Sequence, residues 1–130
     1  MNERQRDICK LLQGISSEEA ATWILNNYKT ENDNWGEVFV IFTHRSWKKS
    51  DQIRFANYYL KKLPYASGRG YEAFLSFMSI TNFISAILEF LPESKSDRSL
   101  LSYHLSPILR KNASSDKDQK LICELEKLIS

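Results

Sequence analysis

Arg98 and His104 are the two side chains whose types and spacing come closest to a catalytic pattern. A fixed cation can stabilise phosphate charge, and a histidine that titrates near neutral pH can move a proton. Together the two groups suit cleavage of RNA through the 2′-hydroxyl. On a helix, however, a spacing of six residues places them about 120° apart around the axis.

The segment from Arg98 to His104 resembles the R-x(4–6)-H motif of the HEPN family of helical ribonucleases. The resemblance implies that the arginine binds phosphate and that the histidine handles the proton. Members of that family usually have a polar amide or an acid directly after the arginine, where this chain has Ser99. We expect no enzymatic activity, with Arg98 at the surface and His104 partly buried. A HEPN-like ribonuclease is kept as an alternative.

The basic stretch from Arg45 to Arg69 has seven basic residues against a single acidic residue, Asp51. Aromatic residues lie among its cations, and this combination can bind single-stranded nucleic acid by phosphate contacts and base stacking. In the other interpretation the aromatic side chains point inward and the lysines point outward from an amphipathic helix. We favour the second interpretation and expect no nucleic acid partner, because the net charge is only +2. A helical nucleic-acid-binding module at 45–69 is kept as an alternative.

The chain has no pattern typical of a metal ion or an organic cofactor, and we expect neither. Its two cysteines and two histidines lack the spacing of a zinc site. Cys9 and Cys123 lie in apolar-periodic segments, which predicts two buried free thiols. The N-terminus is charged and lacks the apolar core of a signal peptide, so we expect a cytoplasmic protein.

Length and composition predict one all-α domain over residues 1–130. A composition of 42% hydrophobic and 26% charged residues is typical of a globular protein. Four glycines and three prolines leave few positions for the many turns of an all-β fold. The apolar periodicity predicts about seven helices, packed as antiparallel hairpins around a long buried central helix.

Local signals mark the ends of the first two predicted helices. Gly14 follows an apolar stripe at 3–13 and is a typical residue after a helix end. Ser16 and Glu19 form a capping-box pattern in front of a second helix, which we expect to end near Tyr28.

Similar signals mark the later helices. Ser50 is predicted to cap a helix at 51–63, and Ser115 to cap the last helix. Asp97 falls in the first turn of the sixth helix, where its charge favours the helix dipole. Pro107 lies inside that helix, so we expect a kink or a break there.

Residues 35–47 fit two structures. Val38 to Phe42 are β-branched and aromatic, which favours a buried strand. No second strand candidate exists to pair with its backbone, and Trp35, Phe39 and Phe42 fit a helical stripe. We therefore favour a helix.

The densest apolar run extends from about 68 to 91 and predicts the central helix. Its large side chains lie on all sides of a 3.6-residue period, which is typical of a helix buried in a core. Pro92 is expected to end it. The run has the length of a membrane span, but polar residues interrupt it and no positive cluster lies beside it, so we expect no membrane association.

The start of this run, GRGYEAFLSFMSI from Gly68 to Ile80, carries a second resemblance. It is similar to the start of a long apolar helix in small, all-helical, cytoplasmic immunity proteins of bacterial contact-dependent inhibition and related polymorphic toxin systems. The resemblance implies a protein partner, namely a cognate toxin domain that is often a nuclease. The immunity protein would block the toxin's active site or its substrate surface.

Charge suggests which face would bind such a toxin. Nucleases present a positive cleft to their substrate, so an inhibitor is expected to offer carboxylates and an aromatic anchor. The stretch from Met1 to His44 has seven acidic against four basic residues. The predicted toxin-binding residues are Glu18, Glu19, Glu31, Asp33, Trp35 and Glu37. Alternatively, Glu18 and Glu19 only stabilise the start of their helix. The oligomeric state is not predicted.

Overall fold

Eight α-helices and two 3₁₀ turns make up the computed structural model, which describes all residues from 1 to 130. The helices are α1 (Glu3–Gln13), α2 (Ser17–Asn27), α3 (Val38–Phe42), α4 (Lys49–Tyr59), α5 (Arg69–Leu75), α6 (Ile80–Leu88), α7 (Lys95–Asn112) and α8 (Asp116–Ile129), with 3₁₀ turns at Trp35–Glu37 and Leu60–Lys62. The chain has no strand and forms one domain, which confirms the predicted all-α class. None of the helices has the length and apolarity that crossing a membrane requires.

Serine side chains cap the N-termini of most of the longer helices. Ser16 and Ser115 accept hydrogen bonds from the backbone amides of Glu19 and Asp118, as predicted. The predicted Ser50 cap is wrong, because α4 begins at Lys49 and has no side-chain cap. A tertiary contact explains the difference, because the amide of Lys48, just before α4, donates to the hydroxyl of Ser17 on α2.

The ambiguous stretch 35–47 is helical, but shorter than predicted. A 3₁₀ turn leads into α3, which ends at Phe42 and buries four of its five residues. The indole nitrogen of Trp47 donates to the carbonyl oxygen of Phe42 at 3.1 Å, so a side chain outside the helix satisfies its C-terminus.

The single central helix at 68–91 is wrong: the run forms α5 and α6, separated by a turn. Ser79 has an extended backbone, and its hydroxyl accepts from the amide of Asn82 to begin α6. In a straight helix, Phe74 and Phe83 would lie about 13 Å apart along the axis and on opposite sides. The turn brings their ring centroids to 5.4 Å, so that both halves of the run join one core.

Packing between helices departs from the predicted hairpins. Helices two positions apart in the chain contact one another throughout, from α1 with α3 to α6 with α8. The short α3 and α5 are largely buried. Each contacts helices that precede it and helices that follow it in the chain, rather than one hairpin partner. Only α7 and α8 behave as predicted, with Arg98 at the start of α7 donating to the carbonyl oxygen of Leu128 near the end of α8.

The prediction of two buried thiols is wrong in the C-terminal part. Cys9 is buried, but Cys123 is exposed, because it lies beside the buried stripe of α8 rather than on it. Helix α7 is not broken at Pro107. Pro107 lies on the exposed side of the helix, where water can bond the carbonyl oxygen that it leaves without an amide partner.

Candidate functional site

The loop after α2 presents two of the predicted carboxylates, Glu31 and Asp33, to solvent. We call residues 29–34 the acidic loop. Its first end is held by two tyrosines of α4, because Tyr59 donates its hydroxyl to the carbonyl oxygen of Tyr28 at 2.8 Å. The hydroxyl of Tyr58 accepts from the amide of Thr30 at 3.1 Å.

The other end of the acidic loop is held by the packing of Trp35. Its indole ring stacks on Tyr59, with centroids 6.0 Å apart and planes 11° apart, and meets Phe39 edge to face. Between the two ends, the amide of Asn32 donates to the carbonyl oxygen of Lys29, and the amide of Trp35 donates to that of Asn32. These two hydrogen bonds close the turns of the loop. The loop is therefore a fixed element of the surface.

Glu37 plays a structural part. Its carboxylate forms an ion pair with Arg4 and accepts from Gln5 at 3.1 Å, which ties the 3₁₀ turn to α1. The hydrogen bond from Arg4 lowers the pKa of Glu37, and partial burial opposes that shift. This carboxylate is already engaged within the protein.

Glu18 and Glu19 lie at the opposite end of α2 from the acidic loop. The helix has 11 residues and so separates the two groups by about 16 Å. The backbone amide of Glu19 donates to the hydroxyl of Ser16, and that hydroxyl donates to the Glu19 carboxylate, so the predicted cap forms without the bond to the Ser16 amide that completes a capping box. The structure thus divides the six predicted residues into two groups, and Glu19 serves the helix start.

The arginine and histidine of the HEPN-like motif are not assembled into a site. Arg98 is half-buried, and its guanidinium donates to the carbonyl oxygens of Pro92 at 2.6 Å and Leu128 at 2.9 Å. This side chain ties the end of α8 to the chain before α7. His104 is half-buried, as expected, and its ring lies edge to face with Tyr103 at 5.0 Å.

The basic stretch turns its aromatic rings inward, as the amphipathic interpretation predicts. Four of its aromatic side chains belong to the core, namely Trp47, Phe55, Tyr59 and Tyr65. Arg45 donates to the carbonyl oxygens of Leu12 and Ile15 and lies over the ring of Trp47. Part of the positive charge thus serves to join helices.

The residues that carry the immunity-protein resemblance pack α5 into the core. A Cβ on Gly70 would lie 2.6 Å from Cδ2 of Tyr65, and one on Gly68 would lie 2.7 Å from Cδ1 of Ile108. The hydroxyl of Tyr71 accepts from the amide of Tyr65 at 3.0 Å. Glycine here permits a close approach of the backbone.

The residues that fix the acidic loop are not evident from the sequence. Tyr58 and Tyr59 count there only as aromatic residues of the basic stretch, and nothing links Arg4 to Glu37. The one available signal was two adjacent tyrosines near a helix end, since a buried hydroxyl needs a partner.

The chain was compared with protein-family models, curated proteins and solved structures, and none of them matches it. No cluster of three or more His, Cys, Asp and Glu side chains is arranged to hold a metal ion. The function must therefore be argued from the surface itself.

Proposed function

We propose that this protein is an immunity protein that binds a cognate toxin domain, a nuclease, and neutralises it by covering its active site or substrate surface. The observation that carries the proposal is the acidic loop. It presents Glu31 and Asp33 on a backbone that is held at both ends.

Charge and rigidity both favour a binding role for this loop. Glu31 and Asp33 are exposed, and neither takes part in the three ion pairs of the protein. Free carboxylates complement the positive cleft of a nuclease and accelerate its association. A loop that is already ordered loses little conformational entropy on binding.

The resemblance at Gly68–Ile80 is a second support for the proposal. Its glycines and Tyr71 pack α5 closely into the core. We therefore take the resemblance to concern the helical core, and we propose that the binding face belongs to other residues.

The two alternatives fit the structure less well. Both hydrogen bonds of the Arg98 guanidinium go to backbone carbonyls, so this side chain is committed within the protein. The aromatic rings of the basic stretch that could stack on bases are mostly in the core. We accordingly propose a binding role and a protein partner.

The proposal is tested by reversing the charge of the acidic loop. Glu31→Lys with Asp33→Lys should weaken binding to the toxin domain by about tenfold or more, mainly through slower association at low salt. Binding is measured by surface plasmon resonance, with the toxin domain encoded beside the gene of this protein.

The matched control is Glu89→Lys with Glu124→Lys, which changes the net charge equally at two exposed positions of the C-terminal half. It should leave affinity within about twofold. Equal losses in the two variants would show a general charge effect, and unchanged affinity in the loop variant would exclude the acidic loop from the interface.

A further inference from the structure

An open hollow of about 460 Å³ lies between the 3₁₀ turn at Trp35–Glu37 and the connection that leads into α5. Its lining includes aromatic, cationic and glycine residues, namely Trp35, Gly36, Phe39, Lys62, Tyr65 and Arg69. The volume is within the range of about 300–1,000 Å³ that small-molecule sites occupy. Trp35 belongs to the predicted toxin-binding residues, and Lys62, Tyr65 and Arg69 belong to the basic stretch, but no function considered above uses the hollow as a small-molecule site.

The aromatic part of the hollow is rigid. Trp35 is half-buried and stacks on Tyr59, while Phe39 and Tyr65 lie 5.1 Å apart by ring centroid. The hydroxyl of Tyr65 donates to the carbonyl oxygen of Tyr59 at 2.9 Å, which fixes its ring. Phe39 and Tyr65 are only 7% and 5% exposed and pack against Trp35 from within the core. A planar group would therefore meet the exposed part of the Trp35 ring, which is already in place.

The cationic part consists of two exposed side chains. Lys62 and Arg69 both line the hollow, and neither belongs to an ion pair. The ammonium of Lys62 lies 5.9 Å from the ring centroid of Trp35, so the positive charge borders the aromatic surface directly. No acidic residue lines the hollow to neutralise these charges.

We propose that this hollow binds a nucleoside monophosphate, with the base against the exposed part of Trp35 and the phosphate held by Lys62 and Arg69. Two unpaired cations suit a phosphate monoester, which carries nearly two negative charges, better than they suit a single carboxylate. Bases stack on aromatic side chains with little dependence on sequence, so the site discriminates by phosphate rather than by base. The proposal is independent of toxin binding.

Isothermal titration with three defined probes tests the combination of base and phosphate. The protein of residues 1–130 should bind 5′-AMP with a dissociation constant below about 1 mM at low salt. Adenosine and inorganic phosphate should each bind at least about tenfold more weakly, because each reaches only one part of the hollow. Equal binding of inorganic phosphate and 5′-AMP would overturn the proposal, as would the absence of 5′-AMP binding.

Two kinds of variant locate the site. Lys62→Met and Arg69→Met should each weaken 5′-AMP binding by about fivefold or more, whereas Lys61→Met, an exposed neighbour outside the lining, should not. Gly36 lines the hollow, and a Cβ there meets no atom within 4 Å, so Gly36→Leu is expected to add bulk to the hollow without a clash at Cβ. Loss of 5′-AMP binding in Gly36→Leu supports the site, and binding at the original affinity places the nucleotide elsewhere and refutes it.

Discussion

At the scale of single residues, tyrosine hydroxyls and two glycines determine how the helices meet. Tyr71, Tyr65 and Tyr59 each form a hydrogen bond with backbone of another segment, and together they connect α5, α4 and the end of α2. Each hydroxyl satisfies a backbone group that burial would otherwise leave without a partner. Their rings need a close approach, which Gly70 permits.

Gly70→Ala should therefore destabilise the protein, although alanine favours a helix. The added Cβ would lie 2.6 Å from the ring of Tyr65 and 2.9 Å from that of Phe39. Overpacking of this kind costs about 1–3 kcal/mol, and the helix propensity of alanine returns about 1 kcal/mol. We expect a net loss of up to about 2 kcal/mol in the free energy of unfolding, measured by urea denaturation.

The control for this variant is Gly36→Ala. Its Cβ meets no atom within 4 Å, so stability should stay equal or rise by a few tenths of a kcal/mol. A Gly70→Ala protein as stable as the Gly36→Ala protein would show that Tyr65 can move aside, and that the core is less fixed than the hydrogen bonds imply.

At the scale of the elements, local signals predicted three helix ends correctly and one, the Ser50 cap, wrongly. Ser16, Ser115 and Gly14 occupy the positions that their spacing predicts. The break before Ser79 was not predictable from periodicity, because apolar residues continue on both sides of it and each half alone fits a helix. The deciding contact, Phe74 on Phe83, exists only in the folded core.

Ser79→Ala should cost about 1 kcal/mol of stability, because it removes the hydroxyl that accepts from the amide of Asn82 at the start of α6. Ser85→Ala, at an exposed position inside α6, is the matched control and should be neutral or slightly stabilising. Thermal unfolding followed by circular dichroism compares the two. Equal stability of both variants would mean that Ser79 does not act as a cap.

The candidate site was predictable only in part. The exposed Glu31 and Asp33 follow from a polar segment between two helices. The ion pair of Glu37 does not follow from the sequence, because its partner Arg4 lies 33 residues away. Glu18 and Glu19 were grouped with the loop by their common charge, whereas the length of α2 separates them.

At the scale of the whole molecule, helices two positions apart join into one core that contains most of the tyrosines. Burial raises the pKa of Tyr71 to about 12 and raises the pKa values of Tyr59 and Tyr65 as well. A phenol whose pKa is higher in the folded state stabilises the fold fully below its unfolded value of about 10. That contribution is lost as the pH rises through the folded value.

We therefore expect the free energy of unfolding to fall steeply as the pH rises from about 10 to 12. Absorbance at 295 nm should show that at least three of the six tyrosines ionise only together with the loss of the helical circular dichroism signal. Tyr103→Phe, which removes the phenol that is 74% exposed, should leave this coupled transition in place. Ionisation of all six tyrosines near pH 10 with a native spectrum would contradict the buried network.

The most direct measurement of the proposed function is the nuclease activity of the cognate toxin domain, titrated with the purified protein. If the protein is an immunity protein, activity falls in proportion to the protein added and disappears at about one equivalent. The variant with Glu31→Lys and Asp33→Lys should need a larger excess, and the Glu89→Lys with Glu124→Lys control should not. Full nuclease activity at a tenfold excess of the unmodified protein would contradict the proposal.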